Sequence, residues 1–126
     1  MNKAIQAAQK AARKAIERTY IGVMTVLEYK SVKDPVTKIT RTQWVIVLEN
    51  QPCNLSFENI TTAVQTEAAA TISQAVKVLV SPDVTIKPGS RLKITQNGVT
   101  TEYTSSGIPA VYPTHQEIML ELSDKA

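Results

Sequence analysis

The stretch "SRLKITQNGVTTEYTSSG", residues 90–107, constrains the fold of this chain more than any other, because Asn97-Gly98 selects one kind of turn. A two-residue type I′ hairpin needs positive φ at both central positions, which Asn and Gly tolerate. The turn predicts Gln96 opposite Val99, Lys93 opposite Glu102 and Leu92 opposite Tyr103. One face then has an opposite-charge pair and the other an apolar pair, as cross-strand pairing prefers.

Other segments have the same period. "YIGVMTVLEYKS" (20–31) and "TQWVIVLENQ" (42–51) are β-branched and aromatic. "VKDPVTKITR" joins them, and its Asp34-Pro35 marks a turn, which predicts an antiparallel pair with a long basic tip. "QPCNLSF" reads as a separate short strand, with Pro52 at an edge or a strand start. Val76, Val78 and Val80 alternate in "SQAVKVLVS". In the last segment Ile118, Leu120 and Leu122 alternate with Glu117, Met119 and Glu121. Six or seven strands and one helix predict a mainly β fold, a small antiparallel β-barrel, since closure removes exposed edges. At 126 residues the chain is expected to be one domain with one core. Trp44 and Tyr103 are expected inside it.

"MNKAIQAAQKAARKAIERTY" predicts a helix over residues 3–18, with Ile5, Ala8, Ala12 and Ile16 at helical spacing. That stripe is mostly alanine and a helix this short is marginal alone, so it should dock on a partner. Lys3, Lys10, Arg13, Lys14 and Arg18 are the candidate docking residues. They give residues 1–18 a net charge of +4, while residues 19–126 carry −1.

The chemical inventory is thin. One His and one Cys exclude a His/Cys zinc site, and no nucleotide-loop, metalloprotease or nucleophile-elbow motif occurs. His115 is expected as a strand-edge imidazole bonded to a neighbour, and Cys53 as a small buried hydrophobe. Neither an enzyme nor a cofactor is expected. The lone cysteine, the lack of an apolar run near ~20 residues and the lack of a signal-peptide core predict a soluble protein that stays where it is made, without a membrane partner.

The remaining feature is "FENITTAVQTEAAATIS", residues 57–73, an inter-strand insertion without Gly, Pro, Lys or Arg. Ile60, Val64, Ala68 and Ile72 fall at helical spacing and Thr62 with Gln65 forms a capping box, which allows a short helix. The β-branched Thr61, Thr62, Thr66 and Thr71, with Ile60, Val64 and Ile72, oppose it. Asn59, Ala63, Ala69 and Ala70 decide neither way. The acids Glu58 and Glu67 repel phosphate rather than bind it. A structureless loop of such length in a compact domain is usually functional. Extended, half of it reaches roughly 25–30 Å.

The order "NLSFEN", this insertion, "QAVKVLVSPDVTIKPGSRLKI", a short hairpin and a final "HQEIMLEL" resembles the head-closure or head-tail joining (stopper, connector) proteins of tailed bacteriophages, over residues 20–123. The most specific part is the strand ending at Val80, followed by Asp83, Ile86, Gly89, Arg91 and Leu92. Gly89 after Pro88 suits a turn that needs positive φ. The resemblance implies a virion neck protein at the head-tail interface, assembled in the bacterial host cytoplasm as a homo-oligomeric, twelve-fold ring. Its neighbours are then the portal or adaptor ring, and a tail terminator or tail tube. Double-stranded DNA passes through the channel, and residues 58–72 form the gate that retains it. A collar of a headless contractile particle is a close variant. The alternative, a monomeric barrel binding single-stranded nucleic acid, needs a basic aromatic face that strands 43–49 and 91–103 supply poorly.

Overall fold

The computed structural model describes residues 2–61 and 72–122. Alternation of apolar and polar residues builds six strands after one helix. They are α1 (Lys3–Glu17), β1 (Gly22–Lys33), β2 (Thr40–Thr61), β3 (Ile72–Val80), β4 (Arg91–Gln96), β5 (Val99–Val111) and β6 (Gln116–Leu122). All neighbours are antiparallel and the sheet closes in the order β1-β2-β3-β6-β5-β4. The expected small barrel with an N-terminal helix is therefore what the chain forms.

The inward face of each strand supplies the core. Met24 and Val26, Cys53 and Leu55, Val78 and Val80, Leu92 and Ile94, and Ile118 and Leu120 alternate along their strands, with Tyr103 and Ile86 completing the cluster. Ile86 comes from the connection between β3 and β4, which folds against the barrel. Cys53 is fully buried, and desolvation pushes its thiol pKa up to about 12, so it behaves as an inert hydrophobe. Leu122 continues the alternation of β6 but is largely exposed, because it has passed the mouth of the barrel.

The β4–β5 hairpin has the expected register: Gln96 opposes Val99, Lys93 opposes Glu102 and Leu92 opposes Tyr103. Asn97 and Gly98 have φ of 54° and 78°, as a type I′ turn requires. Gly98→Val should destabilise the protein by about 1–3 kcal/mol, since a β-branched residue is strained there. An unchanged melting midpoint would contradict the assignment. Gly89 is also at positive φ, 86°, in a turn closed by Ser90 N–H donating to the Lys87 carbonyl at 3.1 Å.

Two expectations for β2 are corrected. The segments 42–51 and 51–57 are one strand of 22 residues, not two. Pro52 lies inside it, next to a bulge where the pairing with β1 slips between Met24 and Val26 and again between Val26 and Leu27. Asn50 takes φ of 55° in that region. A bulge bends the strand and accommodates a residue without an N–H, so proline does not end the strand here.

The basic tip is also shorter than expected. Val32 pairs with Arg41 and Lys33 with Thr40, leaving residues 34–39 as the turn. Asp34 organises it. Its Oδ1 accepts from the N–H groups of Val36 at 2.8 Å and Thr37 at 3.3 Å, and these bonds hold its carboxyl below the usual range. Its carbonyl accepts from Lys38 N–H at 2.8 Å, with Lys38 at positive φ.

Candidate assembly surfaces

β2 outruns its neighbours at both ends. The last pair between β1 and β4 is Leu27 with Arg91, so Glu28–Lys33 and their β2 partners leave the barrel as a two-stranded ribbon. Six residues give it a reach of about 20 Å. At its base Glu28 contacts Lys30 at 3.3 Å and Lys87 at 3.9 Å. Lys30, Lys33, Lys38 and Arg41 make this arm cationic.

At the other end, β3 pairs with β6 only from Val76 to Val80, while its pairing with β2 continues outward. Glu58 opposes Ala75, Asn59 opposes Gln74, Ile60 opposes Ser73 and Thr61 opposes Ile72. The expected insertion loop over 57–73 is therefore paired strand at both ends, Phe57–Thr61 and Ile72–Ser73, and the alternative helix from Ile60 to Ile72 is overturned there too. Thr and Ile favour the pleated ribbon over the helical turn. Thr62, Ala63, Val64, Gln65, Thr66, Glu67, Ala68, Ala69, Ala70 and Thr71 lie outside the described residues. Below this ribbon the barrel mouth opens into an apolar groove of about 400 Å³, lined by Phe57, Val76, Tyr103, Leu120, Glu121 and Leu122.

The helix buries no residue. Asn2 caps it, its Oδ1 accepting from Ala4 N–H at 2.8 Å. Ile5, Ala8 and Ala12 of the alanine stripe are exposed, while Gln9, Arg13, Ile16, Glu17 and Tyr20 are half-buried. Lys3, Lys10, Lys14 and Arg18 are exposed. Arg13 is not free for docking: its guanidinium pairs with Asp83, donates to Ser81 Oγ at 3.3 Å and contacts Glu17 at 3.2 Å. The hydrogen bond to Asp83 is the main reason its pKa rises above the ordinary value.

Asp83 is 73% exposed, so the tether is worth at most about 1 kcal/mol. Deleting residues 2–16 should therefore leave a folded barrel, with an unchanged β-type circular dichroism spectrum and a melting midpoint within about 5 °C of the full chain. An unfolded product would mean that the helix belongs to the core.

Trp44 corrects another expectation, since it lies on the outer face and not in the core. Its register partner Tyr29 is 5.2 Å away between ring centroids, and the Arg91 guanidinium lies 4.1 Å over the indole. "WVIVL" is apolar at five successive positions, so periodicity cannot tell which of them point inward. Tyr103 is buried as expected. His115 stacks on Tyr112 and contacts Thr114 Oγ1 at 3.1 Å and Glu117 Oε2 at 3.0 Å. His115 and then Lys77 depress the Glu117 carboxyl. Among the described residues no three His, Cys, Asp or Glu gather as metal ligands, and no helix is long and apolar enough to cross a membrane.

Neither any protein-family model nor any curated protein matches the chain. Among solved structures, the fold is similar to that of the phage-like element PBSX protein xkdH from Bacillus subtilis, with a TM-score of 0.50 and 11% identity. The match covers 83% of this chain and 96% of that one. At this identity the likeness is one of fold.

Proposed function

We propose that the chain is a structural protein of a phage or phage-like particle, a neck protein that forms a ring below the portal and adaptor. There it helps to retain packaged DNA and offers the attachment surface for a tail terminator or tail tube. The observation that carries this reading is the pair of ribbons leaving one barrel at opposite ends of β2, one cationic and one ending in an insertion without Lys or Arg. The first suits docking on a neighbour. The second suits a channel: a cationic loop would hold phosphates by releasing their counterions, whereas Glu58 and Glu67 repeated around a ring repel them. DNA is then blocked sterically and slides when the gate opens. The fold shared with a protein of a phage-like element supports the same setting. The role is mechanical and not catalytic.

A barrel that binds single-stranded nucleic acid is less well supported, although Trp44 and Tyr29 face outward. One face of the indole is already covered by Arg91, which also lies 3.6 Å from Glu102. Base stacking would have to displace it.

Replacing residues 58–72 with a Gly-Ser turn tests the neck reading, since it removes ribbon pairs that lie beyond the core and a shorter connection costs little closure entropy. Heads should assemble and fill, then lose DNA before tails attach, as measured by the DNA content of purified heads. Full retention would remove the gate. Glu58→Lys with Glu67→Lys should instead keep the DNA and slow ejection, less so as salt rises.

A further inference from the structure

Two outer faces of the barrel differ in chemistry and lie across from each other. On the first, Leu27 and Ile46 on the barrel, with Tyr29 and Trp44 at the root of the ribbon that leaves it, stand beside Arg91 and Lys93 of β4. Tyr29 is 61% exposed and Ile46 51%. Tyrosine, tryptophan and arginine are the residue types that carry most binding energy in protein interfaces, and here they meet in one cluster.

The strand order places β6 three strands from β1 in either direction, hence on the far side of the barrel. Its outward residues are Glu117, Met119 and Glu121, and Met119 is 48% exposed. Glu117 is engaged by Lys77 at 3.1 Å. Glu58 opposes Ala75 of β3, and Glu121 lies one residue beyond Leu120, which makes the last β3–β6 pair with Val76; neither acid forms an ion pair among the described residues. Lys77 stands beside Met119 and Glu102 between Arg91 and Lys93, so the charges are mixed on both faces. Glu58, Glu117 and Glu121 still outnumber Lys77 on the far side, and Arg91 with Lys93 outnumber Glu102 on the near one.

We propose that the β1–β2–β4 face of one copy packs on the β6 face of the next. The inference rests on the ring reading above for its setting, and on these two faces for its chemistry. Self-pairing of the first face would bring two cations and one acid against the same set, a net positive surface against itself, which like-charge repulsion disfavours. Contact with the β6 face brings them to Glu121 and Glu58 and places Met119 against Tyr29 and Ile46. Because the faces are on opposite sides, the contact is head to tail, and each copy keeps one of each kind free for the next. Repetition closes into a ring when the rotation permits.

Sedimentation velocity on the full chain tests this with Tyr29→Ala, Met119→Lys and their equimolar mixture. Both residues point outward, so circular dichroism and melting should be unchanged. The wild type should form oligomers, each variant should associate about thirtyfold more weakly or worse, and the mixture should stop at heterodimers, since it holds one intact pair of faces. A wild type that stays monomeric at its highest soluble concentration overturns the proposal. So does a mixture without heterodimers, or a wild-type monomer whose Tyr29 face binds an oligothymidylate. Oligomers that survive both substitutions overturn this interface but leave the ring, and the DNA content of heads judges the neck reading separately.

Discussion

Gly22→Val should destabilise the protein by about 2–4 kcal/mol and lower its melting midpoint by roughly 10 °C. Gly22 opposes Cys53 where β1 enters the barrel. A Cβ there would lie 2.9 Å from Gln96 Oε1, 3.0 Å from the Cys53 carbonyl and 3.2 Å from its sulfur. The Gln96 oxygen cannot simply swing away, because it accepts from Leu55 N–H at 2.8 Å and so joins β4 to β2 across β1. Removing that acceptor should relieve part of the strain. The Gly22→Val, Gln96→Ala pair is then expected to cost less than the sum of its two single changes. Strict additivity would show that the Cys53 backbone carries the clash.

Gln116→Leu is expected to cost a similar amount, about 2–4 kcal/mol, although it keeps nearly the same volume. Gln116 is buried at the start of β6, and its Nε2 donates to the Ser81 carbonyl at 2.8 Å and to the Val84 carbonyl. Leucine cannot donate, so both acceptors lose a buried partner. These carbonyls belong to the connection that presents Asp83 to Arg13. The helix should therefore loosen together with the connection, and amide exchange in residues 3–17 should accelerate alongside that of 81–84. Loss of stability without faster exchange in the helix would separate the two.

How legible each part was depends on whether local chemistry had a rival. Asn97-Gly98 has none, and the register from Gln96 to Leu92 follows from it. The alternation of Val78 and Val80, and of Ile118 and Leu120, is also borne out by burial. Pro52 had a rival, since proline usually marks a strand boundary, and the bulge beside it is set by tertiary pairing with β1 that no local pattern reveals. For the candidate site, the helix and its four exposed cations were readable. The inward turn of Arg13 was not, because Asp83 is 70 residues away. The strand pairing of Glu58–Thr61 was hidden by an apolar spacing that fits a helix equally well. The aromatic cluster was missed because Arg91 meets Trp44 only when β4 and β2 flank β1.

The two ribbons have a consequence for how such a chain can vary. Each lies beyond the core, so lengthening it adds backbone pairs without touching a buried residue. The increments are nevertheless discrete. One added residue on each strand extends a ribbon by about 3.3 Å but turns every outward side chain inward, while two on each strand restore the facing and add about 7 Å. Chains that share this barrel should therefore differ here in multiples of four residues. The distance from barrel to partner is then tuned in strides of one full pleat, like a ladder that can be extended only by whole rungs.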